Sequence, residues 1–384
     1  MMNKTNILEN KFHPSDGLTF DDILLLPNYS EILREDVNLT TELHPKIKLN
    51  LPVISSPMDT VTEAKMAIAM AQAGGLGVIH RNLSIEQQAN LVKQVKNTQS
   101  VDINKAAIDK NNRLLVAAGI GLGSDMNERI QALINSQVDL LALDSAHGYT
   151  QGMIDAVKKI KTNHPDIVLM AGNVATYDGT KALIEAGADI IRVGMGPGSI
   201  CTTRIISGMG VPQITAVMEA VKASEGNPAT IVADGGIRQM GDMAKALAVG
   251  ANAVMLGSLL AGYDQSPGDI VEINNSKFKQ YRGMGSAAAM AEGGAARYAQ
   301  SDKTAKTKLI AEGVEGLVPY KGNVEDYLYQ IEGSLRSSFF YLGSPDLSTF
   351  FQTSKIIKIT PSSLTESHPH TIKITNAGNN YTLL

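Results

Sequence analysis

The stretch Ile167-Val-Leu-Met-Ala-Gly-Asn-Val-Ala-Thr-Tyr-Asp-Gly-Thr-Lys-Ala-Leu-Ile-Glu-Ala-Gly-Ala-Asp-Ile-Ile-Arg-Val-Gly-Met-Gly196 decides the fold. It begins with a run that is almost wholly apolar, continues as the amphipathic segment Thr176–Gly187, and ends in a second apolar run, Ile190–Gly196. A short apolar run bounded by turn residues reads as a strand covered on both faces, and a glycine just past a periodic segment reads as a helix stop. The stretch is therefore strand, helix, parallel strand. The unit recurs on either side, with candidate strands at Leu51–Met58, Gly75–His80, Leu114–Gly121, Leu140–Gly148, Ile167–Val174, Ile190–Gly196, Thr230–Ile237 and Ala253–Ala261. Helical patterns lie between them at Ala64–Ala73, Ile85–Val95, Met126–Ser136, Met153–Asn163, Thr176–Gly187, Gln213–Ser224 and Gly241–Gly250. Eight such strands predict an α/β fold of the closed (β/α)8 TIM-barrel kind rather than an open doubly wound sheet, and no Gly-x-Gly-x-x-Gly follows the first strand.

The rest of the chain fits around that barrel. Gly17-Leu-Thr-Phe-Asp-Asp-Ile-Leu-Leu-Leu-Pro27 and the alternating pieces of Val37–Leu51 predict a lead-in that caps the core. At 384 residues, 43% hydrophobic and 19% charged, residues 1–384 are expected to form one catalytic domain. Residues 96–113 are polar and weakly periodic, a surface connection. Residues 287–310 combine glycine, small residues and scattered charge, the composition of a mobile active-site flap or of a disordered insertion. A formal charge of −4 gives no footing on nucleic acid, and no run approaches the roughly 18 apolar residues that span a bilayer. One cysteine excludes an intrachain disulfide, and the start Met1-Met-Asn-Lys-Thr-Asn-Ile is too polar for a secretory signal. A reducing, cytoplasmic setting is expected.

That cysteine is the first candidate for chemistry. Val193-Gly-Met-Gly-Pro-Gly-Ser-Ile-Cys-Thr-Thr-Arg204 sets Cys201 between a glycine-rich turn and two threonines. Gly194, Gly196 and Gly198 let the backbone approach a ligand or aim carbonyls at an ion, and Arg204 favours the thiolate if its side chain points inward. The seventh strand ends Ala233-Asp-Gly-Gly-Ile-Arg238 and the eighth Met255-Leu-Gly-Ser-Leu-Leu260. In barrels of this kind reactive groups stand at the carboxyl ends of the strands, with phosphate commonly held after the last two. Gly235, Gly236, Gly257, Ser258 and Ser199 can serve phosphate oxygens, and Asp234 suits a ribose diol; singly, each glycine equally fits a tight turn. At the ends of the fourth and fifth strands, Asp144 can bind ribose hydroxyls and Asn173 can orient a carboxamide, or either can cap the following helix.

Gly-Pro-Gly-Ser-Ile-Cys-Thr-Thr-Arg, followed by Gly210-Val-Pro-Gln213, resembles the catalytic-cysteine loop of the inosine-5′-monophosphate (IMP) dehydrogenase and GMP reductase family. Asp-Gly-Gly-Ile-Arg, Met-Leu-Gly-Ser and Tyr281-Arg-Gly-Met-Gly-Ser286 resemble its nucleotide-binding segments, and the likeness runs from Gly17 to Tyr381. It implies that Ser199, Gly235, Gly236, Gly257, Ser258 and Tyr281 take the phosphate of IMP and Asp234 its ribose. Gly283, Met284, Gly285 and Glu312 would meet the base, and Ser56 and Met58 would complete the substrate site. Asp144, Ser145 and Asn173, with Gly194 and Gly196 alongside, would form the NAD+ site, and His147 a supporting position. Arg297-Tyr298 resembles the pair that activates water in the dehydrogenase branch and is lacking in the reductases, although Ala296 stands where the family usually has Asp. Glu312-Gly-Val-Glu-Gly316 and the tail Glu366-Ser-His-Pro-His370 are also dehydrogenase-like.

The resemblance thus implies oxidation of IMP to XMP with NAD+ and water, in guanine nucleotide (GMP) biosynthesis, by Cys201 with Thr203, Arg297 and Tyr298. It further implies K+ held by carbonyls of Gly196, Gly198 and Cys201 with Glu366, Ser367 and His368 of a neighbour, and a homotetramer. Partners are IMP and NAD, with neither nucleic acid nor membrane. Most dehydrogenases of the family carry a tandem CBS regulatory module at the place of residues 96–113, which are far too few to hold one. The alternatives are an NADPH-dependent GMP reductase and a catalytically silent purine-nucleotide-binding protein.

Overall fold

The computed structural model describes residues 11, 13, 16–298, 300, 309–378, 380 and 381, with backbone alone at 293, 295 and 296. All eight expected strands form, each shorter than its apolar run: β1 Val53–Ser55, β2 Leu76–Ile79, β3 Ala117–Ile120, β4 Leu140–Asp144, β5 Val168–Val174, β6 Ile190–Val193, β7 Thr230–Asp234 and β8 Ala253–Leu256. They pair in parallel, in sequence order, and β8 closes on β1. The leftover ends of the apolar runs are the loops at the carboxyl rim, where the site lies.

The reason these runs are apolar throughout is visible in the pleat. Leu140 and Ala142 point into the barrel, whereas Leu141 and Leu143 pack outward against the helices, and all four are buried. The barrel interior also takes Leu43, Ile47 and Leu49 from the hairpin Thr41–His44/Ile47–Leu49, so the lead-in does cap the core.

At the amino rim a clasp repeats. The residue just before an even strand uses its side chain to accept an N–H at the start of the odd strand before it. Asp139 Oδ2 accepts from Val116 N–H at 2.8 Å, Asp189 Oδ2 from Leu169 N–H at 2.8 Å, and Asn252 Oδ1 from Ile231 N–H at 2.9 Å. Each returns its own N–H to the same residue's carbonyl at 3.0, 2.9 and 2.8 Å. Lys96 and Lys161 reach the first two carboxylates at 2.8 Å. These paired bonds satisfy strand-end groups that would otherwise be buried unpaired.

Seven barrel helices lie near their expected spans: α1 Ala64–Gln72, α2 Ile85–Asn97, α3 Met126–Asn135, α4 Gln151–Asn163, α5 Tyr177–Glu185, α6 Gln213–Ala223 and α7 Met240–Ala248. The eighth, α8 Val324–Leu342, comes only after an excursion from β8. Its buried Val324, Leu328, Ile331, Leu335, Phe339 and Leu342 keep a helical period, and Phe339 stacks on Phe350 at 4.0 Å. The excursion is an antiparallel sheet of Ile270–Ile273, Ser276–Arg282 and Glu315–Pro319. The expected flap lies between its second and third strands. Of the expected connection 96–113, residues 96 and 97 end α2, and the rest is more than a surface connection. Gln99 bridges to Arg113 and Ile108 to Leu114, Ala106 and Ala107 are buried, and Lys96 holds Asp109 at 3.0 Å.

Candidate active site

The carboxyl rim gathers the residues singled out in the sequence. One cavity is lined by Ser56 and Met58 after β1, by Ser199 and Cys201 after β6, by Asp234, Gly235 and Gly236 at β7, and by Gly257 and Ser258 after β8. Tyr281, Gly283, Met284, Gly285 and Glu312 come in from the excursion, and Arg297 and Tyr298 from the flap. Every residue of the expected IMP set faces this space.

Steric facts explain the glycines. A Cβ on Gly194, at φ +152°, would stand 2.0 Å from the Asp234 carbonyl, and one on Gly257 would stand 3.1 Å from the Tyr281 hydroxyl and 3.2 Å from Met58 sulfur. The Tyr281 phenol, Ser199 and Ser258 line the same cavity, so three hydroxyls converge from three loops. Burial pushes that phenol up to about 12, with the nearby serine hydroxyls pulling the other way, so it stays protonated and can donate to phosphate.

The cysteine loop is stitched to the excursion. Thr202 N–H donates to Glu312 O at 3.0 Å, Val314 N–H to Ile200 O at 2.9 Å, and Glu312 N–H to Gly285 O at 2.9 Å. Cys201 therefore has a fixed height beside Met284 and Gly285. Its Sγ donates to Thr203 Oγ1 at 3.2 Å. Arg204 departs from the inward orientation considered above. Its Nε and Nη2 donate to the carbonyls of Met195 at 3.3 Å and Val211 at 2.6 Å, so it braces the loop and makes no hydrogen bond to the sulfur among the described residues. Burial lowers the affinity of that guanidinium for its proton, and the Cys201 charge opposes the shift.

Beside the cysteine lies a chain of buried charges that sequence reasoning missed in one member. Arg192 of β6 joins two carboxylates, Nη1 to Asp144 Oδ1 at 2.6 Å and Nε to Asp234 Oδ2 at 2.8 Å. The signal was a lone arginine inside Ile190-Ile-Arg-Val193. Asn173 Nδ2 donates to Gly194 O and Asp234 Oδ2, both at 2.8 Å, which leaves its buried Oδ1 with no partner among the described residues. Neither Asp144 nor Asn173 caps a helix, because Thr150 and Thr176 hold those positions. Burial alone would raise Asp144, but the guanidinium groups of Arg297, Arg192 and Arg81 outweigh it and hold the carboxyl below its usual range.

Arg297 Nη1 is the second partner of Asp144, at 2.9 Å. Its carbonyl accepts the N–H of Ala146 at 3.0 Å and, at 3.5 Å, the hydroxyl of Ser145. The flap backbone thus lies on the rim of β4, and Tyr298 packs on Gly285, where a Cβ would come within 2.5 Å of the ring. The flap is structured as far as it is described: a helical turn Ala287–Ala289, a π turn Met290–Gly294 and a 3₁₀ turn Ala295–Tyr298. Residues 299 and 301–308 of the expected flap, and the Ala296 side chain, lie outside the description.

His147 is exposed, its carbonyl accepting the Ser145 hydroxyl at 3.2 Å. Glu366 and Ser367 are exposed, and none of Glu366, Ser367 and His368 faces the cavity. The described residues contain no cluster of three or more His, Cys, Asp or Glu side chains able to hold a metal, and no helix among them is long and apolar enough to cross a membrane. The set fits a weakly bound monovalent cation better. The carbonyls of Gly196 and Cys201 accept no backbone N–H among the described residues, and Gly198 O takes only that of Cys201. The donor set also fits NAD+: a buried carboxylate for diol hydroxyls and an orphaned amide oxygen for a carboxamide.

Comparison with known proteins agrees with this geometry. The IMP dehydrogenase / GMP reductase domain matches residues 17–370. The chain is similar to the inosine-5′-monophosphate dehydrogenases of Staphylococcus aureus strains Mu50 and MW2, 39% identical over 97% of the chain and 99% of each relative. Those alignments run over 486 positions against 384 residues here, so more than a hundred positions are filled only in the relatives. With a matching domain over most of its length and close relatives over nearly all of it, the chain belongs to the IMP dehydrogenase / GMP reductase family.

Proposed function

We propose that the chain is an IMP dehydrogenase, converting IMP, NAD+ and water to XMP, NADH and a proton, a step of guanine nucleotide biosynthesis. The observation that carries this reading is a single cavity holding Cys201, the nucleotide cradle and the Arg297-Tyr298 pair. Tyr281, Ser199 and Ser258 hold the phosphate, Asp234 the ribose, and Met284, Gly285 and Glu312 the base, which sets C2 of the purine against the sulfur.

Cys201 loses its proton to solvent, and its sulfur bonds to C2 as the C2=N3 π pair moves onto the ring nitrogen. NAD+, when bound, would supply the acceptor for the hydride that leaves C2 as the C2=N3 bond re-forms. Asp144, Ser145, Asn173, Gly194 and Gly196 orient that acceptor. The purine stays on Cys201 as a thioimidate, one hard step having been split in two. With Arg297 seated on Asp144, water enters beside Tyr298 and Thr203. Arg297 acts as base from its neutral form, reached by first losing the guanidinium proton to solvent. It takes a proton from the water, oxygen bonds to C2, and the C2–S bond breaks, the leaving thiolate taking up the proton that Arg297 then returns.

K+ is assigned to the carbonyls of Gly196, Gly198 and Cys201 with the neighbour's Glu366, Ser367 and His368, in a homotetramer. Exposed apolar Ile205, Ile206 and Met209 beside the cysteine loop support such a neighbour. The short segment 96–113 is read as the place of the relatives' extra residues, so one domain carries catalysis without control through a CBS module. A free, reactive thiol suits a reducing cytoplasm.

The test is spectrophotometric. Absorbance in the NADH band is expected to rise with IMP and NAD+, faster with K+ than with Li+. A fall with GMP and NADPH, and no rise with IMP and NAD+, would replace this reading by the reductase.

A further inference from the structure

Tyr298 and Arg297 are not the only flap contacts with the barrel. Arg282 closes the strand Ser276–Arg282 and is fixed to the barrel: its Nη2 and Nε donate to Asp59 at 2.8 and 3.2 Å, and its backbone N–H donates to Thr60 Oγ1 at 3.3 Å. Asp59 is itself held by Asn82 Nδ2 at 2.9 Å. The side chains of Asp59 and Arg282 are 7% and 13% exposed, so this part of the network is scaffold. From it, Arg282 Nη2 reaches outward to Glu292 Oε2 at 2.5 Å, and Glu292 is 61% exposed. Both carboxylates raise the guanidinium's hold on its proton, Asp59 foremost.

Glu292 lies in the π turn between the two other turns of the flap, five residues before Arg297. Single π turns inside helical segments are strained and recur at functional sites. Ser286 Oγ, accepting Ala289 N–H at 3.3 Å, caps the start of this segment, and the Arg297–Asp144 pair holds its end. The Glu292 contact is the ionic tie between them. Because Arg282 is already fixed, only the Glu292 side chain must be ordered to form it.

We propose that Glu292 is a positioning residue for the water-activating pair: its tie to the fixed Asp59–Arg282 couple holds the flap down so that Arg297 and Tyr298 sit in the site. The inference rests on the reading of Arg297 given above. Arg297 and NAD+ are assigned to the same carboxylate, Asp144, so a looser flap admits the dinucleotide more easily and completes hydrolysis less often. Loss of the tie therefore lowers kcat and the apparent KM for NAD+ together. A merely structural loss would leave KM alone or raise it.

The experiment compares wild type, Glu292→Gln and Glu292→Asp by rapid-mixing kinetics with IMP and NAD+, and by amide hydrogen exchange over residues 287–298 without ligand. Glu292→Gln is expected to keep the first burst of NADH, to lower kcat and KM for NAD+ each about 2- to 5-fold, the scale of one half-exposed ion pair, and to speed exchange by a similar factor. Glu292→Asp should fall between. Salt of about 0.5 M should bring wild type towards the variant, since ions screen an exposed pair. Unchanged exchange and kinetics in Glu292→Gln, or a lower kcat with unchanged or higher KM, overturns the proposal. Absence of NADH from wild type would instead overturn the assigned reaction, and the exchange rates would still decide whether Glu292 holds the flap.

Discussion

Arg297 Nη1 lies 2.9 Å from Asp144 Oδ2, on the carboxylate assigned to the cofactor's ribose. In the proposed reaction this buried acid would serve two occupants in turn, and competition for it would keep the two half-reactions apart.

Asp144→Asn keeps the shape and removes the charge. Both half-reactions should suffer: kcat down about 100-fold and KM for NAD+ up about 10-fold, as expected when a charged hydrogen-bond partner is lost at a reacting centre. Stopped-flow and steady-state assays check both. The sign with pH follows from the depressed carboxyl. Its contribution to stability is complete above the ordinary carboxylate range and fades as pH falls through the lowered value. Urea unfolding should therefore show the variant's deficit at pH 7 and a shrinking deficit below about pH 4.

Arg192 tests the same network from the other side. Arg192→Leu leaves Asp144 and Asp234 buried without their shared cation, and should cost about 3–5 kcal/mol in chemical denaturation. Arg192→Lys should rescue little, because an ammonium cannot span two carboxylates as the planar fork does.

Gly285→Ala places a methyl group within 2.5 Å of the Tyr298 ring. The flap tyrosine must give way. NADH should still appear in a first burst while steady turnover falls about 10-fold, a cost near 1.4 kcal/mol in seating the pair. Equal losses in burst and turnover would show that the clash acts on IMP instead.

Much of this was legible in the residues. The eight strands were readable because a strand covered on both faces must be apolar throughout, but most of their ends were set too late, because the runs continue into the loops of the carboxyl rim. That Gly235, Gly236, Gly257 and Ser258, proposed to take phosphate, line one cavity was readable because two successive loops carried the same small residues. Arg192 was overlooked because it hides in an apolar strand, where its partners come from strands distant in sequence. The eighth helix was missed because Gly333 and the serines after it mask a sound apolar period. The Glu292–Arg282 tie had no local signal, since its members lie ten residues apart and are brought together by the turns of the flap.

Asp109 shows why the short segment 98–113 is held firmly. Burial pushes its carboxyl up, yet the N–H groups of Arg113 and Asn111 and the Lys96 ammonium bring it down to about 2. Asp109→Asn should destabilise by about 1–3 kcal/mol at pH 7. Measured by urea unfolding, that gap should hold above pH 4 and close as pH falls from 3.8 towards about 2.

The central claim is that Cys201 carries the oxidised purine until the flap delivers water. Intact mass spectrometry of the Arg297→Ala variant, acid-quenched soon after mixing with IMP and NAD+, reads this directly. The account predicts a species heavier by one IMP less two hydrogens, mapped to Cys201, with one NADH formed per adduct. NADH produced with no purine on Cys201, or an adduct on any other side chain, would contradict it.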